Sequence, residues 1–153
     1  MVEEGRPAPE FALRDARGTR VRLREFRGRW VVLYFYPKDD TPGCTTEACG
    51  FRDDHSAYAA ADAVVIGISP DETAAHARFI QKYRLPFILL ADPDHAVAEA
   101  YGVWKEKHLY GRTYWGIERT TFVIDPRGKI ARIFRRVRPE GHSREVLAAL
   151  APV

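Results

Sequence analysis

Trp30-Val31-Val32-Leu33-Tyr34-Phe35-Tyr36, followed at once by Pro37-Lys38-Asp39-Asp40-Thr41-Pro42-Gly43-Cys44-Thr45-Thr46-Glu47-Ala48-Cys49, decides how the chain is read. Apolar residues at consecutive positions suit a strand in the middle of a sheet covered on both faces. Pro37 stops that strand. Thr41-Pro42 then starts a helix, with a hydroxyl residue at the N-cap and proline at the first helical position. Cys44 falls in the first turn, where unpaired N–H groups and the helix dipole favour a thiolate. Cys49, the other of the two cysteines, lies five residues on in the same helix. Five helical residues put the two Cα atoms about 8.6 Å apart on different faces, whereas a disulfide wants less than about 7 Å. The pair cannot bond while the helix is intact. A structural bridge would not be placed so; a redox pair that forms its bond by unwinding a turn could be.

Outward from this stretch, the 153 residues are read as one domain, 1–153, with 46% hydrophobic and 29% charged residues, an ordinary globular composition. No apolar run is long enough for a membrane span. The N-terminus has neither the basic end nor the apolar core of a signal peptide, and two neighbouring cysteines do not make a secreted disulfide scaffold. A cytoplasmic location is the expectation. The net charge of +3 includes a basic series at Arg127, Lys129, Arg132, Arg135, Arg136 and Arg138. Alternation on a half-exposed strand accounts for it, and no nucleic-acid partner is expected.

Before the central strand, Phe11 to Leu23 reads as a small hairpin turning at Asp15–Gly18. After it, one helix is expected from Pro42 to about Ala60, then a buried strand Ala63–Ser69. Ser69-Pro70-Asp71-Glu72 reads as a second helix start, with Ser69 as the cap. A third strand at Pro86–Leu90 and a short helix at Ala96–Tyr101 follow. Gly102–Gly116, with Trp104, Tyr110, Tyr114 and Trp115, reads as a loop-rich insertion. Arg119–Asp125 and Lys129–Phe134 flank Pro126-Arg127-Gly128 as a β-hairpin, and a last helix runs from His142 to near Leu150. This order predicts an α/β fold, a mixed sheet with helices on both faces. It is compatible with a thioredoxin-like arrangement without separating it from other three-layer folds.

The run Pro37-x-x-x-Thr41-x-x-Cys44 resembles the active-site signature of the peroxiredoxins. With Tyr34-Phe35-Tyr36 before it and Glu47-Ala48-Cys49 after it, the resemblance is to the bacterioferritin comigratory protein, or peroxiredoxin Q, subfamily. Further matches are Tyr101-Gly102-Val103-Trp104, Gly116 to Phe122 and the tail from His142 to Leu150. The resemblance implies a thioredoxin-like three-layer fold with an N-terminal β-hairpin. It implies a thiol peroxidase that reduces hydrogen peroxide and alkyl hydroperoxides, an antioxidant of cell redox homeostasis. Cys44 would be the peroxidatic cysteine, oxidised to a sulfenic acid; Cys49 would resolve it as an intramolecular disulfide, reopened by a thioredoxin-like reductant.

The resemblance also picks Arg119 from nineteen arginines as the guanidinium beside the thiolate, a partner that stays protonated. It places the Thr41 hydroxyl where it can bond the sulfur and a peroxide oxygen, and makes Pro37 a shield for the thiolate. The N–H groups of Gly43 and Cys44, with Thr41 and Arg119, would bind the peroxide and stabilise charge on its oxygens. Neither a cofactor nor a metal is expected, because sulfur is itself the redox centre; His55 has no companion ligands at a zinc-like spacing.

Other readings of the same residues stay open. Glu47 either orients Arg119 or occupies a favourable first-turn position. Thr41 is an N-cap as well as a site residue. The four aromatic residues of 104–115 either border the active site or the reductant's docking surface, or pack the loop, the commoner case. His76, His95, His108 and His142 read as surface or capping residues. Two other functions compete: a dithiol–disulfide oxidoreductase, which usually has cysteines two residues apart, and a protein whose binding is switched by unwinding near Phe51. A monomer is expected, with a homodimer as the alternative.

Overall fold

The computed structural model describes residues 2–150. Trp30–Phe35 is β3, and its side chains alternate between two cores: Val31, Leu33 and Phe35 on one face, Val32, Tyr34 and then Tyr36 on the other. This period-2 alternation with apolar residues on both sides makes it an interior strand. It pairs in parallel with β4 (Ala63–Ser69) and antiparallel with β8 (Thr120–Ile124). The full sheet has seven strands in the order β2-β1-β5-β4-β3-β8-β9, where β1 is Ala12–Asp15, β2 Arg20–Arg22, β5 Ile88–Ala91 and β9 Ile130–Phe134. The sheet is mixed: β3, β4 and β5 run parallel, and both flanking pairs are antiparallel. The N-terminal β1–β2 hairpin and the β8–β9 hairpin form where expected.

Four helices bury against the Val32–Tyr34–Tyr36 face: α1 (Pro42–Asp53), α2 (His55–Ala60), α3 (Thr73–Tyr83) and α5 (His142–Ala149). The opposite face is covered by α4 (Ala96–Ala100) and by Ala8, Phe11, Leu23 and Val103 from extended or turn segments. Both faces are covered, unequally.

Three expectations are corrected. The helix expected over 42–60 is divided at Asp54, whose carboxylate accepts hydrogen bonds from Ser143 Oγ at 2.8 Å and Arg144 Nε at 3.1 Å. Tertiary partners, not a breaker residue, mark the division. Ser69 does not cap a helix. Its carbonyl accepts from Asp92 N–H at 2.9 Å and its hydroxyl donates to Asp71 at 2.6 Å, so it ends β4, and α3 starts at Thr73 behind Glu72. The expected loop at 102–116 is a second, two-stranded sheet of β6 (Trp104–Leu109) and β7 (Arg112–Ile117). Its turn is Tyr110-Gly111, with φ of 50° and 75°, the two-residue geometry that usually carries Asn-Gly.

Candidate active site

Within α1 the buried residues are Cys44, Glu47, Ala48 and Phe51, the i, i+3, i+4, i+7 stripe of a helix lying on a sheet. Phe51 is the anchor: its ring centroid lies 4.8 Å from that of Tyr34, 5.7 Å from Tyr58, 5.9 Å from His142 and 6.3 Å from Phe87. Cys49 is off the stripe and half-exposed, beside Thr46, Gly50, Pro139 and Ser143. Both cysteines are free thiols.

Cys44 is 1% exposed and is the third residue of α1. The first helical hydrogen bond runs from Thr45 N–H to the Thr41 carbonyl at 2.8 Å, which leaves the N–H groups of Gly43 and Cys44 without a partner inside the helix. Arg119, immediately before β8, reaches across to this end of α1. Its Nη2 donates to Cys44 Sγ at 3.4 Å and its Nη1 to Glu47 Oε1 at 2.6 Å. One guanidinium therefore spans a thiol and a carboxylate one helical turn apart. Burial opposes its charge, but Glu47 and then Cys44 outweigh that and raise its pKa. Gly43 eases the approach: a Cβ there would meet Arg119 Nη2 at 3.2 Å and Pro139 Cγ at 3.4 Å, so the guanidinium would have to give by a few tenths of an ångström.

Glu47 is 1% exposed, and its Oε2 and the Tyr34 hydroxyl are buried without a hydrogen-bond partner. Burial lifts the Glu47 pKa from 4.5 to about 7, with Arg119 offsetting part of the effect. The Tyr34 hydroxyl is pushed well above its usual range, by burial first and then by Glu47 and Cys44. Gly67 of β4 leaves room for this ring, because a Cβ there would lie 2.8 Å from Tyr34 Cζ and from Leu89 Cδ2.

Thr41 has N-cap backbone geometry, φ −96° and ψ 157°, but its side chain caps nothing. The hydroxyl donates to the Lys38 carbonyl at 2.8 Å, so the expected bond to the sulfur is absent and only its acceptor lone pairs remain free. Pro37 is half-buried, two residues beyond the end of β3. The structure thus brings Cys44, Arg119, Gly43 and Glu47 together at one helix end, with Cys49 on a neighbouring face.

Two of the four histidines read as surface or capping residues are buried. His142 faces Thr121 Oγ1 at 2.7 Å and Glu145 Oε1 at 2.9 Å, and burial lowers its pKa. His76 is fully buried between Asp39 and the Leu90 carbonyl. His95 stacks on Trp104 at 3.9 Å and His108 is exposed. Of the four aromatic residues at 104–115, Trp104 packs, while Tyr110, Tyr114 and Trp115 are exposed on the β6–β7 hairpin. The sequence reading also missed Lys107, half-buried on β6, whose pKa is lowered by burial and then by Arg119. No sequence signal marked it, since it sits in a segment read as loop.

Among the described residues, one group has a cation-like geometry: Asp39, Asp71 and His76, with ligand atoms all within 4.8 Å of one another. Those atoms already bond each other or adjacent groups at 2.6–2.9 Å, so the cluster is satisfied without an ion. No helix of the described residues is long and apolar enough to cross a membrane.

The AhpC/TSA family model matches residues 5–133. Among similar proteins, Peroxiredoxin Bcp of Bacillus subtilis is 49% identical over 149 residues, covering 97% of this chain and 95% of that one. Peroxiredoxin Bcp of Escherichia coli K12 is 45% identical over 146 residues, 95% and 94% of the two chains. Among solved structures, a cysteine-to-serine mutant of Xylella fastidiosa PrxQ superposes with a TM-score of 0.93 at 35% identity, over 98% and 96% of the chains. The bacterioferritin comigratory protein of Xanthomonas campestris, solved in trapped-intermediate and ligand complexes to study alkyl peroxide reduction, superposes with a TM-score of 0.87 at 41% identity, over 92% and 89%.

Proposed function

This chain belongs to the AhpC/TSA family and is a thiol peroxidase of the peroxiredoxin type with a thioredoxin-like fold; on that premise we propose that Cys44 is its peroxidatic thiol and Cys49 the resolving one. The observation that carries the assignment is the Arg119 guanidinium, bonded at once to Cys44 Sγ and to Glu47 at the open end of α1. A permanent cation and a helix N-terminus both meet the sulfur, where they offset the negative charge that takes part in the reaction. The thiolate attacks one peroxide oxygen and breaks the O–O bond. Cys44 becomes a sulfenic acid, and the other oxygen leaves with both bonding electrons and takes up a proton as water or alcohol. Gly43 and Cys44 N–H groups and Arg119 face the charge that develops. Thr41 Oγ1, whose proton is committed to Lys38, accepts from the peroxide O–H. Pro37 walls the thiol from solvent.

Cys49 thiolate then attacks the sulfenic sulfur, displacing hydroxide, which leaves as water, and closing the Cys44–Cys49 disulfide. A thioredoxin-type dithiol reopens it. Closure requires α1 to unwind through Cys49, and the burial pattern supports an easy unwinding. Before Phe51, the helix buries only Cys44, Ala48 and a carboxylate, and Gly43 and Gly50 lower its intrinsic propensity. The disulfide-exchange alternative usually has cysteines two residues apart, where a loop closes the bridge; here the two thiols are five residues apart within one helix.

The test is intact mass with a free-thiol count after one equivalent of hydrogen peroxide. The expected outcome is loss of two hydrogens and of both thiols without a dimer, and a trapped sulfenic acid in Cys49→Ser. Survival of both wild-type thiols, or an unchanged peroxide rate in Cys44→Ser, would overturn it. A single domain over 1–153, a cytoplasmic monomer, and a substrate range that includes alkyl hydroperoxides as well as hydrogen peroxide complete the proposal. Sedimentation of the reduced protein and rates with cumene hydroperoxide check the last two.

A further inference from the structure

The segment Pro37–Thr41 connects β3 to the helix that carries Cys44, so its position sets where the thiol sits. Asp39, in its middle, is 9% exposed and held from three directions. Its Oδ1 accepts from the Tyr36 hydroxyl at 2.6 Å, its Oδ2 faces His76 Nδ1 at 2.6 Å, and its backbone N–H donates to Asp71 Oδ2 at 2.8 Å. Asp71 Oδ2 is itself fixed by Ser69 Oγ at 2.6 Å. The next residue, Asp40, has a left-handed φ of 57°, unusual for a non-glycine. Its carboxylate accepts from Lys82 Nζ at 2.7 Å and the Tyr83 hydroxyl at 2.8 Å. Helix α3 therefore grips two consecutive loop residues, Asp39 through its first turns and Asp40 through its last.

His76 is the centre of this grip. It is fully buried, and its Nε2 lies 2.9 Å from the Leu90 carbonyl. A carbonyl only accepts, so Nε2 carries a proton and donates. At 2.6 Å the opposite contact, Nδ1 to Asp39 Oδ2, cannot be two lone pairs facing each other, so a second proton lies between those atoms. The ring is thereby a two-ended link from the backbone of β5 to the loop before Cys44.

We propose that His76 is a positioning residue for the peroxidase reaction: through Asp39 it fixes the Pro37–Thr41 loop, and through the loop the N-terminus of α1 and Cys44 Sγ. The inference rests on Cys44 being the reacting thiol, which the Cys44→Ser control tests separately. The contrary reading is that His76 merely fastens α3 to β5, its bond to Leu90 being the one that matters. The two ends of the ring make the readings separable. Asparagine at 76 places an amide N–H where Nδ1 is and leaves Leu90 without a donor. Glutamine places one near Nε2 and leaves Asp39 without one.

The experiment is single-turnover stopped flow on the reduced full chain with hydrogen peroxide, separating the peroxide-dependent oxidation of Cys44 from the peroxide-independent closure of the disulfide. His76→Leu is expected to slow the first phase by roughly 10–100-fold, the scale of a misplaced reacting atom. His76→Asn is expected to recover most of that loss and His76→Gln to recover little. Recovery by glutamine and not by asparagine, or a wild-type rate in His76→Leu, would overturn the proposal. Should the His76 variants fail to fold, Asp39 gives an independent arm. Asp39→Asn keeps the acceptor for Tyr36 and offers an N–H to an Nδ1 that becomes the acceptor, so it is expected to stay within about threefold of wild type. Asp39→Ala is expected to fall with His76→Leu, and a wild-type rate in it would refute the link. A first phase that changes when zinc is added or chelated would show a cation site instead.

Discussion

Replacing Glu47 by glutamine tests whether the helix that must unwind is held under electrostatic load. Glu47 is 1% exposed, with one oxygen 2.6 Å from Arg119 Nη1 and the other unpartnered. Burial raises its pKa from 4.5 to about 7 even with the guanidinium present. A carboxyl with a raised folded-state pKa binds its proton more tightly when folded. Its favourable contribution is complete below the unfolded value of 4.5 and is lost as pH rises to about 7. The difference between 4.5 and about 7 corresponds to roughly 3 kcal/mol, of which about 2–3 kcal/mol falls between pH 5 and 8. Glutamine has no proton to lose. Urea unfolding of fully reduced wild type and Glu47→Gln at both pH values isolates the effect, since titrations away from the Arg119 contacts cancel in the difference. The stability of wild type relative to the variant is expected to drop by about 2–3 kcal/mol from pH 5 to pH 8. In stopped flow at pH 8 after one equivalent of hydrogen peroxide, the variant is expected to close its disulfide more slowly, because its helix no longer relieves a buried charge by opening. A difference that stays flat within about 0.5 kcal/mol, or rises with pH, would refute the reasoning. It would mean that the Arg119 pair fully offsets the burial.

Arg119→Met removes the cation from Cys44 and leaves Glu47 unpaired; the peroxide-dependent rate is expected to fall about 10²–10³-fold with an unchanged far-UV spectrum, read by stopped flow. Phe51→Ala removes the one large side chain anchoring α1, and is expected to cost about 3–5 kcal/mol in urea unfolding while speeding disulfide closure. Gly67→Ala forces a methyl to 2.8 Å from the Tyr34 ring and from Leu89. It is expected to destabilise by about 1–3 kcal/mol, checked by calorimetry. Retention of wild-type stability there would mean that the Tyr34 ring can tilt away without cost.

The sequence determined the elements whose signals are local. Consecutive apolar residues from Val31 to Tyr36 specify an interior strand because both faces must be covered. Thr41-Pro42 specifies where α1 begins because the missing proline N–H costs nothing there, and the Cys44–Glu47–Ala48–Phe51 stripe follows from the 3.6-residue repeat. The spacing of Cys44 and Cys49 already implied unwinding, since helix geometry alone separates them. The resemblance singled out Arg119, which spacing could not.

What the tertiary structure decided are contacts between elements distant in the chain, for which no local pattern exists. Asp54 ends α1 because Ser143 and Arg144 reach it from 89 and 90 residues away. Ser69 remains in its strand because Asp92 and Asp71 satisfy it first. The Thr41 hydroxyl turns to Lys38 instead of the sulfur. His76 is isolated among polar and small residues and reads as exposed until the fold places Asp39 and Leu90 at its two nitrogens. Propensity acts over a few residues, whereas burial and hydrogen-bond satisfaction act over the whole chain; the helix start was therefore legible, and the side chains that hold it in place were not.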